Sequence, residues 1–148
     1  MSEAKIVINK LLVEIYNDIL HIEEQSLKSD EFSDISITEI HTIEAIGIDR
    51  EKTMSEVAQS LNITLGTLTT GINKLIRKGY VERNRTEEDR RIVLIKLTER
   101  GKAAYKRHEA FHEEMVHNSV NDLNTEEKEV LASSLGKIKE FFAEKYKL

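Results

Sequence analysis

"TLGTLTTGINKLIRKGYVERNRTEEDRRIVLIKLTERG", residues 64–101, decides the fold, because its hydrophobic period changes part-way along. In the first half Leu65, Leu68, Ile72, Leu75 and Ile76 recur at helical spacing behind Thr64. This predicts a helix capped by the Thr64 hydroxyl, with those five side chains turned inward. Gly79 follows the last apolar position, where a left-handed residue ends a helix. Beyond it "YVERN" and "RIVLIKL" are β-branched and alternating, and "RTEED" between them is turn-like. That pattern predicts a two-stranded hairpin with a charged tip.

Working outward, "TMSEVAQSLNI" (residues 53–63) places Thr53 three residues before Glu56, the spacing of a reciprocal capping box. Val57, Ala58 and Leu61 form the inner face of this helix, and Asn62 and Ile63 interrupt before the next begins. Two short helices joined by such a turn are a helix-turn-helix signature. Upstream, Ser36 starts a helix carrying Ile37, Ile40, Ile43 and Ile46 and ending near Gly47. Residues 3–28 carry Ile8, Leu12, Ile15, Ile19 and Ile22 on one stripe of a long helix, which the polar run "SDEFSD" (29–34) breaks. Downstream, Thr98 caps a fifth helix reaching about Val120, and Thr125 opens a sixth with Leu131, Leu135, Ile138 and Phe142 in register.

The fold class is therefore mainly α with a two-stranded β wing, a winged helix-turn-helix with long terminal helices. The chain reads as one domain, 1–148, with a DNA-binding lobe over 36–98 and dimerisation helices over 1–28 and 99–148. A domain this small has little interior with which to cover both terminal stripes. The expectation is a homodimer whose terminal helices intertwine.

Composition narrows the function. The 148 residues include no Pro, Trp or Cys, which favours helix and excludes disulfides and zinc–thiolate sites. The N-terminus lacks a basic start followed by a long apolar run, and no stretch approaches the ~20 apolar residues of a membrane span. A soluble cytoplasmic protein is expected. The chain is acidic, with 22 Lys+Arg against 27 Asp+Glu and a net charge of -5. Residues 64–107 nevertheless hold twelve basic and five acidic side chains, +7, which leaves -12 for the remainder.

That separation points to nucleic acid. The outward face of the fourth helix carries Thr67, Thr69, Thr70, Asn73, Lys74 and Arg77, with Thr64 at its start and Gly66 and Gly71 keeping the surface low. Hydroxyl, amide and cationic groups on one exposed face can reach phosphates and base edges in a major groove. Thr67, Thr69, Thr70, Asn73 and Lys74 are the candidate groove contacts, and Arg77, Arg83 and Arg85 the backbone contacts. Arg90 and Arg91 serve the wing tip, where Asp89 can hold one of them in position. A cationic ribbon beside a recognition helix lies along the backbone or enters a narrow minor groove.

Other patterns compete. "HEAFH" (His108 to His112) matches the HExxH signature of zinc metalloproteases, in which two histidines share a helical face and Glu109 would activate a water. Such a short pattern on a His- and Glu-rich helix has a high false-positive rate, and no substrate cleft is visible. Glu24, His41, His108 and His112 could together supply an N3O metal site, or serve as ordinary polar contacts between helices. A helical interaction module without DNA or metal is a third class.

The order of elements, with "TMSEVAQSLNIT", "KLIRKGYVERN" and "EDRRIVLIKLTERG", resembles the MarR family of dimeric winged-helix repressors. In that family an Asp-x-Arg wing followed by Leu-Thr-x-x-Gly is characteristic, matched here by Asp89, Arg91, Leu97, Thr98 and Gly101. "FSDISITEIHTIEAIG", "TLGTLTT" and "RHEAFHEEMV" are similar to the FabT-type repressors of fatty-acid biosynthesis genes. The resemblance implies a repressor of the fatty-acid synthesis operon, binding a palindromic operator as a homodimer. Long-chain acyl-acyl-carrier protein would be co-repressor, its acyl chain entering an apolar tunnel. The zinc-uptake repressors of the same family are similar at Glu24, His41, His108 and His112, which implies Zn(II) as the alternative effector.

Overall fold

The computed structural model describes residues 1–29 and 31–148; Asp30, within the expected polar break, lies outside the described residues. Six helices and three short strands follow in the order α1 (Glu3–Lys28), α2 (Ile37–Ile46), β1 (Lys52–Thr53), α3 (Met54–Leu61), α4 (Leu65–Arg77), β2 (Val81–Arg85), β3 (Val93–Leu97), α5 (Glu99–Ser119) and α6 (Thr125–Tyr146). Residues 1–106 and 107–148 form two compact units, and α5 contributes to both.

Local side-chain chemistry sets the helix ends. Ser36 accepts from Glu39 N–H while Glu39 Oε1 accepts from Ser36 N–H, a complete capping box. Thr64 Oγ1 accepts from Thr67 N–H at the start of α4. At Thr53 the expected box is only half made. Thr53 Oγ1 accepts from Glu56 N–H, but Glu56 turns away to take Arg50 Nη1 at 2.9 Å. In the second unit Asn124 and Glu127 complete a further capping box at the start of α6.

The end of α4 fixes where the wing begins. Gly79 has φ +84, its N–H donates to Ile76 O, and Tyr80 N–H reaches back to Leu75 O. These two bonds form a Schellman motif, which glycine enters without the Cβ penalty of the left-handed region. The chain turns directly into β2, and β2 pairs antiparallel with β3 from Val81↔Leu97 to Arg85↔Val93. The sheet has three strands, not the two expected, in the order β1-β3-β2. Lys52↔Ile95 and Thr53↔Leu94 make the extra pairing, which ties the entry of α3 to the wing.

The core of the first unit gathers Ile40, Ile43, Ile46, Val57, Leu68, Ile72, Leu75, Tyr80 and Ile95, all at most 1% exposed. Each such enclosure contributes on the order of 1.5–3 kcal/mol. Leu65 departs from expectation. It stands in the first turn of α4, beyond the reach of that core, and is 51% exposed. On α1, Ile8, Leu12, Ile15 and Ile22 stay between 42% and 51% exposed. On α6, Val130, Leu135 and Phe142 are 59%, 49% and 43% exposed. Among the described residues no helix is long and apolar enough to cross a membrane.

Candidate nucleic-acid interface

The exposed side of α4 and the β2–β3 hairpin make one continuous surface. Arg83, on β2, donates from Nη1 to Asn73 Oδ1 on α4 at 3.1 Å, which ties the hairpin to the helix. A cleft of about 460 Å³ opens between them, lined by Met54, Thr69, Arg83, Asn84, Arg85 and Val93.

The hairpin tip is ordered by its own polar groups. Thr86 Oγ1 donates to Asp89 O and accepts from Asp89 N–H, and Arg85 Nη1 donates to Arg90 O at 2.7 Å. Asp89 takes Arg91 rather than Arg90. Its Oδ1 accepts from Arg91 N–H and Nε, both at 3.0 Å, and its Oδ2 accepts from Arg91 Nη2 at 3.1 Å. The Arg91 side chain is still 91% exposed. The hydrogen bonds from the Arg91 side chain, then its backbone N–H, hold the Asp89 carboxyl below the usual carboxylate range. Asp89 is thus a fixed acceptor that aims a guanidinium into solvent.

The basic residues divide by whether a carboxylate accompanies them. Lys78 binds both oxygens of Glu39 at 2.9 Å, Lys96 lies 3.6 Å from Glu51 and from Glu82, and Lys102 meets Glu99. Arg100 lies 3.5 Å from Asp34. Lys74, Arg77, Arg83, Arg85 and Arg90 have no carboxylate partner among the described residues. Those five lie on the helix–hairpin surface. Five of the twelve cations of the window thus stand without a carboxylate on the face where a polyanion would be met.

Behind this surface lies a polar network that sequence reading missed. Tyr80, fully buried, donates its hydroxyl to Asp34 Oδ1 and accepts from Arg100 Nη2 at 2.9 Å. The Arg100 guanidinium also stacks 4.7 Å above the Tyr80 ring. Lys78, the C-cap of α4, donates to Asp34 O as well as to Glu39. The loop before α2, the end of α4 and the first turn of α5 are thereby joined. Only the aromatic residue after a helix-ending glycine hinted at it.

Burial foremost, with the hydrogen bond to Asp34, pushes the Tyr80 hydroxyl from 10.0 up to about 12. The folded state disfavours the phenolate, so this contribution to stability is complete below pH 10. It is expected to be lost as pH rises from 10 to 12. Denaturant melts of the wild type should show that loss, and Tyr80→Phe should flatten it.

Residues 33–101 match a winged helix DNA-binding domain model. The chain is 42% identical to Streptococcus pneumoniae FabT in a crystal structure with DNA, covering 93% of this chain and 96% of that one at a TM-score of 0.89. The chain belongs to the MarR family of winged helix-turn-helix transcriptional regulators. An Escherichia coli MarR mutant complexed with operator DNA is 25% identical, covering 91% of this chain and 95% of that one, with a TM-score of 0.72. A Bacillus subtilis HTH-type transcriptional regulator, YhjH, is 25% identical across 84% of this chain and 81% of its own length.

As a MarR-family member the protein is a DNA-binding regulator and not an enzyme, so the HExxH match at His108 to His112 carries no protease. Of the four candidate metal ligands, His108 and His112 come together, whereas Glu24 does not meet His41. In the first unit His41 Nε2 lies 3.2 Å from Oε2 of Glu23, a carboxylate that is 4% exposed. Glu24, the expected ligand, instead pairs with Lys28 at 3.1 Å on the exposed side of α1. One residue along a helix rotates a side chain by about 100°, enough to exchange the two roles. In the second unit His108 and His112 bring their Nε2 atoms to 3.0 Å, and His108 is buried.

Proposed function

We propose that the protein is a homodimeric repressor of fatty-acid biosynthesis genes, with long-chain acyl-acyl-carrier protein as co-repressor. The observation that carries this reading is the match along nearly the whole chain to FabT in complex with DNA. The cationic helix–hairpin surface supports operator binding. The exposed stripes of α1 and α6 support a second copy of the chain as their cover. Each recognition helix enters a major groove, the two about one turn of DNA (~34 Å) apart on a palindrome. The lobe over 36–98 carries the DNA contacts, and 1–28 with 99–148 carry dimerisation.

An effector acts here by binding the DNA-competent dimer better than the incompetent one. A gel shift on DNA from upstream of the chain's own gene tests the reading. Long-chain acyl-acyl-carrier protein is expected to tighten binding at least tenfold, while the carrier without its acyl chain leaves it unchanged. Equal affinity in both arms would remove the co-repressor. The close His108–His112 pair favours a second reading, a zinc-responsive repressor of metal-uptake genes. In the same assay, no change on adding Zn(II) would remove that one.

A further inference from the structure

The hydroxyls of α4 are largely committed to the helix itself. Thr69 Oγ1 donates to Leu65 O at 2.8 Å, and Thr70 Oγ1 donates to Gly66 O at 3.2 Å. Thr64 and Thr67 are hydrogen-bonded to each other through oxygens 2.9 Å apart, one hydroxyl donating to the other, and Thr64 also accepts from Thr67 N–H. Asn73 Oδ1 is taken by Arg83. A threonine whose proton goes to the carbonyl four residues back offers a base no donor; what remains outward is acceptor oxygen and methyl.

Beside these methyls stands the one large apolar side chain of α4 that the core leaves uncovered. Leu65 is 51% exposed, whereas Leu68, Ile72 and Leu75 are at most 1% exposed. It occupies the first residue of the helix, the end at which helix-turn-helix proteins reach base edges. Leu65, Thr69 and Asn73 are four residues apart and so share one stripe on the hairpin side. Gly66, next to Leu65, has nothing within 4 Å of a Cβ position, so the surface beside Leu65 stays low.

We propose that Leu65 is a specificity-determining residue that reads thymine through its C5 methyl group, with the Thr69 methyl completing the contact. The major groove presents only one apolar base feature, the thymine methyl, and an apolar side chain is what recognises it. Leu65 thus discriminates thymine from cytosine with no hydrogen bond, while the unpaired cations fix register on the phosphates. The inference rests on operator binding as proposed above.

Deoxyuridine lacks the methyl and keeps every hydrogen-bonding group of thymine. A duplex enriched by the wild-type protein from a random pool is therefore substituted, one symmetric thymine pair at a time, with deoxyuridine. At one pair in the recognition-helix footprint the affinity is expected to fall about fourfold per half-site, about fifteenfold for the palindrome. Leu65→Ala should bind the thymine duplex more weakly by a similar factor and no longer distinguish it from the deoxyuridine duplex. Leu65→Met, which keeps an apolar contact, should retain most of the discrimination. Equal wild-type affinity for all substituted duplexes overturns the inference, as does discrimination that persists in Leu65→Ala. A pool that yields no preferred sequence overturns operator binding itself, and this inference with it.

Discussion

Gly101→Ala is expected to destabilise the protein by about 3 kcal/mol, lowering the thermal midpoint by roughly 10 °C for a chain of this size. A Cβ at this position would fall well inside contact distance of the Tyr80 carbonyl oxygen and lie 3.1 Å from Leu97 Cβ. The oxygen belongs to backbone and cannot swing aside. It already accepts from Thr98 N–H, while Thr98 Oγ1 donates to Gly79 O and accepts from Gly101 N–H. Displacing α5 to relieve the overlap breaks these bonds together. Gly71→Ala is the matched control, since nothing lies within 4 Å of its Cβ position. There the same added methyl should stabilise the helix by about 0.5–1 kcal/mol. Urea titrations at one fixed protomer concentration measure both. Similar midpoints for the two variants would show that the start of α5 yields.

The second large effect is on DNA. Arg91→Ala should weaken operator binding about tenfold at 0.15 M salt, through the loss of one phosphate contact per protomer. The slope of log K against log salt should become shallower by about 0.9 for each wing, or roughly 2 for a dimer. Asp89→Asn separates charge from aim. It leaves the guanidinium in place but removes the carboxylate that holds Arg91 Nε and Nη2. Affinity is then expected to fall while the salt slope is kept. Fluorescence anisotropy across a salt series reads both quantities, and an unchanged slope for Arg91→Ala would remove Arg91 from the phosphate contacts.

Much of this was legible because it is local. Ser36 with Glu39, Thr64 with Thr67 and Gly79 after Ile76 act over three or four residues, so their chemistry shows in the order of the letters. The change of period at Tyr80 located the hairpin for the same reason. Features held by distant partners were not legible. Tyr80 meets Asp34 across 46 residues and Arg100 across 20. The two-residue β1 is a strand only because β3 lies beside it. Leu65 has the spacing of a core residue, and periodicity cannot say where the core stops. Glu23 and Glu24 are equivalent as letters, and only the rotation of α1 brings the first to His41.

The Tyr80 carbonyl has one further consequence. Thr98 N–H binds it, Gly101 is pressed against it, and the Schellman bonds of Gly79 and Tyr80 set its direction. The hairpin is thereby clamped at its root, and residues 86–91 at its far end are, among the described residues, hydrogen-bonded only within the hairpin. Reach and aim are separable in such an appendage. Evolution can lengthen or shorten the tip, where each doubling of a flexible loop costs only about 0.6 kcal/mol, without re-aiming the helix that the root holds still. One scaffold can in this way be fitted to operators with different flanks.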